Sequence, residues 1–507
     1  MLKRFFDGVR SGFNRKSGDI TQGYIEDYEQ RAQHDLSAWS VENPYSQNTQ
    51  IETSLTQVRQ DARSLALHDP WVAGAVQDWR RLPGTGVVPI VKVRTASGSV
   101  DEVASRKIQR FWDNWVDSEE FDISQQLCFR DLLPLATSQT PVDGEFFIRK
   151  HYTDTGHFGG SVEVVLPDQV DHMVTDYGQN RFVRMGVYLD QWNRVTGYHV
   201  LRWHPFDSGY YNAVQLRGRG ERDYLFVPAD RMIHVFDPSR HALATRGICW
   251  FRSALPLMRD HNDFIGATVT TAKLQACIGA YRKDGEPQHL LSQEENEYPL
   301  EQFLQPGAIL EGDMGMLNPT QPSNNATDFS RHLLSAAARA FGRSYHGYTG
   351  DHTQSTYSSS RMAAIAESEH EDTLKAFYNR RLCDKLFGFV VTAGVLSGKL
   401  NLPDFWEKQS RYTRCCTWQW PGHLFMDPVD DITAAEKAMV LGLVPHGNHL
   451  QRLTGMPTAQ VIAQIQEEQQ AWEGAGLGWM FDKRYGRMTQ PTDQLGATGG
   501  EENGEGQ

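Results

Sequence analysis

Residues 344–361 constrain this chain more than any other stretch. They read Ser344-Tyr345-His346-Gly347-Tyr348-Thr349-Gly350-Asp351-His352-Thr353-Gln354-Ser355-Thr356-Tyr357-Ser358-Ser359-Ser360-Arg361, without one Leu, Ile, Val, Phe or Met. A run of this composition cannot bury itself as a segment, and it stands between two helical patterns, 329–342 and 362 to about 396. Connections of that length inside a compact domain are functional or disordered loops. Hydroxyls and tyrosines can line a wet surface or touch a polymer, but they do not extend a core. Two readings follow: a solvated inter-helix loop, or a loop presented to a macromolecule.

The remainder divides into helical and strand-like stretches. Residues 2–13 carry Leu2, Phe5, Phe6, Val9 and Phe13 at helical spacing among Lys and Arg, a short basic amphipathic helix that can pack on a neighbour or lie on a membrane surface. Helical period recurs from Thr53 to Leu67. Asp69-Pro70 then stops that helix and opens the next, with Asp69 as N-cap and Pro70 in the first turn, over 70–82. A strand is expected at 87–93 and an amphipathic helix at 103–116, with Ile108, Phe111, Trp112 and Trp115 on one side. Between 143 and 237 the chain is strand-rich, with short β candidates at 146–149, 162–166, 182–189, 198–201 and 232–236. Arg217 to Arg222 reads as a hairpin tip. A long helix over 250–282 has small residues at its centre (Gly266, Ala267, Thr268, Thr270, Thr271, Ala272, Ala276), which lets another helix come close. Residues 288–323 form a Gly-, Pro- and acid-rich insertion. Helices are expected again at 428–441 and 458–472, and the residues from about 489 are expected to be disordered.

At 507 residues the chain exceeds one ordinary core, so two to four structural units are expected. Its net charge of −13 argues against tight non-specific DNA binding, which rests on Lys and Arg neutralising phosphates. It is compatible with surrounding DNA without gripping it. The six cysteines have neither CxxC nor zinc spacing, and Cys415-Cys416 read as small hydrophobes in a strand of a reduced protein. No apolar run reaches the length of a membrane span. There is no Walker loop, His370-Glu371 lacks the second histidine of a zinc-protease helix, and His446 and His449 flank a glycine that favours a loop. Asp427, Asp430 and Asp431 suit the N-terminal dipole of the 428–441 helix. No catalytic constellation, cofactor or metal site is nominated, and the chain reads as structural, not enzymatic.

Tyr345, Asp351 and Tyr357-Ser358-Ser359-x-Arg361, spaced in this way, resemble the most recognisable segment of the lambda-type portal proteins of tailed bacteriophages. The family usually has an acid after the first tyrosine, where this chain has His346. Ala62-Arg63, Asp69-Pro70-x-x-Ala73-Gly74-Ala75-Val76 and Gly84-Thr85-Gly86-Val87-Val88-Pro89 resemble its opening. Asp143-Gly144-Glu145, Pro167-Asp168-Gln169-Val170 and Val227 to Phe236 fall where it has similar words, and Arg246-Gly247 follows Ala244-Thr245 where the family has Gly-Gln.

The resemblance implies an α+β portal-like subunit with an α/β wing, long stem helices bracketing a small clip insertion, and a helical C-terminal crown. It divides the chain into an N-terminal basic amphipathic arm (1–52), the wing (53–248), a first stem helix (249–282), a clip-like insertion (283–328), a second stem helix (329–342), a tunnel loop (343–361), a tunnel helix returning to the wing (362–427), the crown (428–480) and a tail (481–507). It further implies a homo-oligomeric ring, usually dodecameric, at one capsid vertex of the virion, assembled in the host cytoplasm. Double-stranded DNA would pass through the ring during packaging and ejection. The terminase large subunit, capsid or scaffold proteins and the head–tail connector would be its partners. Within that picture Arg343, His346, His352 and Gln354 are the loop positions most able to reach DNA. Tyr345, Asp351, Tyr357, Ser358, Ser359 and Arg361 match the family motif and are expected to position the loop. The alternative is a soluble hydrolase acting on a carbohydrate or other polar polymer, motivated by 13 Trp and an excess of carboxylates. Trp71, Trp79, Trp112 and Trp115 speak against it by lying on helix faces that look like core.

Overall fold

The computed structural model describes residues 46–84, 86–153, 156–178, 182–205, 207, 224–240, 243–277, 325–353, 355–421, 428–445, 447 and 458–474. Several expected features lie outside those residues: the N-terminal amphipathic helix, the 217–222 hairpin tip, the 288–323 insertion, His446, His449, Asp427, Gln354 and the acidic tail. The described chain is mixed helix and sheet, and it divides into two compact units, 1–82 with 93–415 and 83–92 with 416–507.

In the first unit, α1 (Gln47–His68) and α2 (Pro70–Arg81) meet at Asp69, whose carboxylate accepts from Val72 N at 2.8 Å while Pro70 fills the first turn. This is the junction that Asp69-Pro70 specifies. After α3 (Glu102–Val116) comes α4 (Phe129–Asp143), a helix that the sequence pattern hides. Pro134 and Pro141 interrupt it, and it is buried on most sides, so it lacks the one-sided periodicity that marks a surface helix. Its C-terminal Gly144 adopts φ +84°, and a Cβ there would lie 2.3 Å from the Ile248 backbone. The chain from 246 to 248 therefore passes directly over the start of β2.

Strand β2 (Glu145–Tyr152) is central in a sheet of order β3-β2-β9, with β3 at Gly160–Val165 and β9 at Met232–Phe236. A second sheet is an antiparallel meander of β4 (Asp176–Tyr177), β5 (Phe182–Arg184), β6 (Val187–Leu189), β7 (Val195–Leu201) and β8 (Tyr224–Pro228). The single strand expected over 182–189 is in fact a hairpin. Met185 and Gly186 both take positive φ, +49° and +75°, so the chain reverses and Arg184 faces Val187. Two consecutive positive-φ residues are the geometry of a tight two-residue β-turn. Phe147 from the first sheet packs with Val187, Tyr198, Val200 and Val227 from the second.

A helical core gathers Leu55, Ala62, Val72 and Trp79 of α1 and α2 with Phe251, Leu255 and Met258 and with Ala337 and Phe341. The last two sit on or just past α6 (Asn325–Ala340), and α5 (Leu255–Cys277) begins in the same core. Beyond it come the five-residue helix α7 (Tyr345–Thr349), α8 (Tyr357–Tyr378), a π-helical turn at Asn379–Cys383, α9 (Asp384–Leu396) and α10 (Gln409–Thr413). Trp112, Trp115, Phe121, Phe129 and Phe387 form an aromatic cluster at ring separations of 4.6 to 6.3 Å. Trp79, Trp112 and Trp115 are thus core residues, as their helix faces suggest.

In the second unit β1 (Val88–Val91) pairs antiparallel with β10 (Cys416–Gln419), and α11 (Pro428–Val440) and α12 (Thr458–Gly474) follow. Cys416 begins a strand and Cys415 immediately precedes it; neither is in a disulfide. Asp430 and Asp431 lie in the first turn of α11.

Candidate functional site

The stretch at 344–361 is not one loop. Gly342 closes α6 with φ +71°, donating to Arg339 O at 3.2 Å while Arg343 N reaches Ala338 O at 3.0 Å, the paired bonds of a Schellman cap. Ser344 caps α7 by accepting from Gly347 N at 3.0 Å, and Gly350 ends it at φ +69°. Tyr348 in this short helix is buried, its ring 5.2 Å from Phe341 and 6.5 Å from Trp71, and its hydroxyl donates to Met258 Sδ at 3.6 Å. A segment that lacks aliphatic residues therefore joins the helical core through one tyrosine. At the other end, α8 starts at Tyr357, five residues before the expected start at Met362. Thr356 accepts from Ser359 N at 3.3 Å and Ser359 Oγ accepts from Thr356 N at 2.9 Å, a reciprocal cap. Only the turn at 350–356 is left as connecting chain.

The motif positions hold this turn. Asp351 accepts from Thr353 N at 3.0 Å and Thr353 Oγ1 at 2.6 Å, and from Arg331 at 3.1 Å and the Tyr345 hydroxyl at 3.3 Å. The Thr353 hydroxyl and amide, then Tyr345 and Arg331, hold its carboxyl down at about 2. The Arg331 guanidinium also lies over the Tyr345 ring, 5.2 Å from its centroid. Arg361 donates to the Tyr357 hydroxyl at 3.2 Å, one helical turn away, while Tyr357 and Ser358 are exposed. His346 donates from Nδ1 to Asp351 O at 2.7 Å, and its ring stacks on that of exposed His352 at 5.8 Å.

Arg343 is placed differently from the histidines. Its guanidinium is 13% exposed and sits 3.1 Å from Glu371 and 3.6 Å from Glu367. Glu367 also accepts from Ser344 N and Oγ. Arg343 is therefore committed to α8; of the other loop candidates described, the turn presents His352, and α7 leaves His346 partly exposed.

The other motif words converge on a buried ionic cluster that no single stretch of sequence announces. Arg246 and Glu145 are both 0% exposed and paired at 2.6 Å. The remaining Arg246 N–H groups donate to Val170 O at 3.0 Å, Met185 O at 2.8 Å and Pro167 O at 2.9 Å. Glu145 also accepts from Arg59 at 2.9 Å, His234 Nε2 at 3.0 Å and Gly247 N at 3.0 Å. Asp168 takes Arg59 at 2.9 Å and Arg63 at 2.5 Å, and Asp143 takes Arg63 at 2.7 Å. Three arginines thus meet three carboxylates. Burial alone would raise the Glu145 pKa, but Arg246, the His234 hydrogen bond and Arg59 pull it well below the carboxylate range. Burial likewise opposes ionisation of Asp168, and Arg59 and Arg63 hold it at about 2. Burial pushes His234 down, so it is neutral and donates from Nε2. Asp143-Gly144-Glu145, Pro167-Asp168 and Arg246-Gly247 are the parts of one joint between α1, the two sheets and the approach to α5.

Among the described residues no group of three or more His, Cys, Asp or Glu is placed to hold a metal ion. Helices α5, α6 and α8 carry a different kind of surface. Ile265 (39% exposed) and Val269 (45%) on α5, Phe329 (50%) on α6, and Met362 (68%) and Ile365 (48%) on α8 leave apolar area in contact with water in the single chain. Isolated exposed apolar residues are ordinary, but Ile265, Val269 and Phe329 lie on one packed pair, α5 and α6, joined by the Phe264 and Phe329 rings at 5.0 Å.

A family model described as phage portal protein, lambda family, matches residues 33–374. The chain is 23% identical over 416 residues to a probable portal protein of Halomonas phage phiHAP-1, covering 80% of this chain and 77% of that one. It is 20% identical over 413 residues to portal protein B of Escherichia phage lambda, covering 74% and 75%. Solved structures similar to it include the neck of a native gene transfer agent particle (14% identity, TM-score 0.35, 77% of this chain and 92% of that one) and the neck of an empty particle (13%, 0.37, 83% and 97%).

Proposed function

The chain belongs to the lambda family of phage portal proteins, and from that premise we propose that copies of it assemble into the ring-shaped channel at one capsid vertex, through which DNA is packaged and ejected. In this reading α5 and α6 are the stem, the turn at 350–356 faces the channel, and residues 283–328 supply the clip. The terminase docks on the ring from outside and supplies the ATP hydrolysis, and the head–tail connector later takes the same end. The ring would be part of the virion, built in the host cytoplasm.

The observation that carries the reading is the exposed apolar series on α5, α6 and α8, which side-by-side subunits would cover. The net charge of −13 supports a passive channel, because acidic walls repel phosphate broadly and let DNA slide. Contacts with DNA fall to His352, His346 and Gln354. Arg343 would reach DNA only by leaving Glu367 and Glu371, so we assign it to holding the turn against α8. Tyr345, Asp351, Ser359 and Arg361 set the shape of the turn and its caps, and Tyr357 and Ser358 present an outer face to a neighbouring subunit.

Native mass spectrometry with negative-stain imaging of the same sample tests this. Dodecameric rings with a central hole are expected. The double variant Ile265→Asp/Val269→Asp should lose them while keeping the far-ultraviolet dichroism of the wild type. A wild-type protein that stays monomeric at high concentration and melts higher on addition of a polysaccharide overturns the channel reading in favour of a hydrolase.

A further inference from the structure

Strand β2 outruns its partner. Pairing with β9 stops at Arg149 opposite Met232, while β2 continues through Lys150, His151 and Tyr152, bonded there to β3 alone among the described strands. A cleft of about 330 Å³ opens at this free edge, walled by Arg149, Lys150, His151 and Tyr152 on one side and by Phe226 and Arg231 on the other. Its lining is basic in a chain whose net charge is −13.

Those cations are not all matched. Glu163 takes His151 at 2.7 Å and Arg149 at 3.4 Å. Lys150 and Arg231 form no ion pair among the described residues, nor do Arg381 on the π-helical turn and Lys385 on α9. The groups act on one another. Burial depresses the Lys150 pKa, Asp230 opposes that, and Arg231 adds to it. Burial likewise depresses Lys385, with Arg381 and Lys150 adding to it. The Arg231 guanidinium is braced over the Tyr152 ring, 4.3 Å from its centroid. Asp230 offsets only part of this, and cations crowded and partly desolvated beyond what nearby carboxylates offset are destabilised in the free protein, a cost that an incoming anion relieves.

The geometry points to a docking site for an extended acidic segment of a partner protein, its carboxylates received by Lys150 and Arg231 of the cleft wall, with Lys385 adding positive charge beside Lys150, and its backbone laid along the free edge of β2. Strand addition at an open edge supplies main-chain hydrogen bonds, and the flanking pockets read alternate side chains. Phe226, 47% exposed, offers apolar surface for the side chains between the acids. A duplex fits less well. Its phosphates lie on a convex surface at one charge per ~1.7 Å of axis, so it would meet the surrounding acidic protein as well as the cleft. A short acidic strand brings few charges and enters the edge. This site is independent of whether the chain forms rings.

Fluorescence anisotropy of the full chain with a fluorescein-labelled peptide of alternating Glu and Val tests it. An alternating Gln and Val peptide and a short DNA duplex serve as comparisons. The Glu peptide should bind at low salt, weaken as salt rises, and bind about tenfold more weakly to Arg231→Gln/Lys385→Gln, with a further loss in Lys150→Gln. Thermal melts of each variant, run beside the binding assay, separate a loss of binding from a loss of fold. Equal binding of the Glu peptide by wild type and variants, equal binding of the Gln peptide, or tighter cluster-dependent binding of the duplex would each overturn the proposal.

Discussion

Replacing Arg246 with Met removes the central cation of the buried cluster and leaves most of its volume filled. Glu145, 0% exposed, keeps Arg59, His234 Nε2 and Gly247 N but loses its tightest partner. Breaking a buried ion pair on one side costs about 3–5 kcal/mol, because a desolvated charge is left under-compensated. The carbonyls of Val170, Met185 and Pro167 also lose their donor, at about 1 kcal/mol for each one that finds no other partner. These effects overlap and do not simply add, so a loss of about 4 kcal/mol or more is expected. Against the ~5–15 kcal/mol that holds a domain folded, that is a large fraction. Urea titration at neutral pH, followed by tryptophan fluorescence, reads it as a lower midpoint. The double variant Glu145→Gln/Arg246→Met removes the stranded charge and should recover part of the loss. A single variant that costs less than about 1 kcal/mol would refute the view that this pair fastens the joint between the sheets and α1.

Two further outcomes follow from the same geometry. Asp168, held at about 2 by Arg59 and Arg63, contributes about 2 kcal/mol that is fully present above its unfolded pKa near 4 and is lost as pH falls towards 2. Asp168→Asn should lower stability at neutral pH and flatten the acid limb of the stability curve, read by thermal melts from pH 7 to pH 2. Gly342→Ala should cost well over 1 kcal/mol, since a Cβ at φ +71° would sit 2.6 Å from His370 Nε2, whereas Gly350→Ala, at φ +69° in open space, should cost about 1 kcal/mol. Differential scanning calorimetry of the pair separates the contact from the backbone strain.

What could be read in advance was what depends on near neighbours in the chain. Asp69-Pro70 fixes the α1–α2 junction because an N-cap acceptor and a proline lacking its N–H act within one turn. The faces of Trp79, Trp112 and Trp115 were legible from helical period, and the motif spacing at 345–361 was legible as a family signature. The α4 helix was not, because two prolines and burial on most sides erase the amphipathic signal. The hairpin at Met185-Gly186 was hidden inside an apolar run that reads equally well as one strand.

The sequence by itself determined the family, the Asp69-Pro70 helix junction, and the polar character of the turn after α6. Tertiary structure alone decided what those residues do. It brought Arg246 to Glu145 across 101 positions and Arg59 to Glu145 across 86. It also put Tyr348 into a core, and it left the end of β2 open beside unmatched cations. The physical reason is that periodicity and capping act over one or two turns of chain. Desolvation and ion pairing are set by which distant segments share a buried volume, and that is fixed only when the sheets and helices have packed.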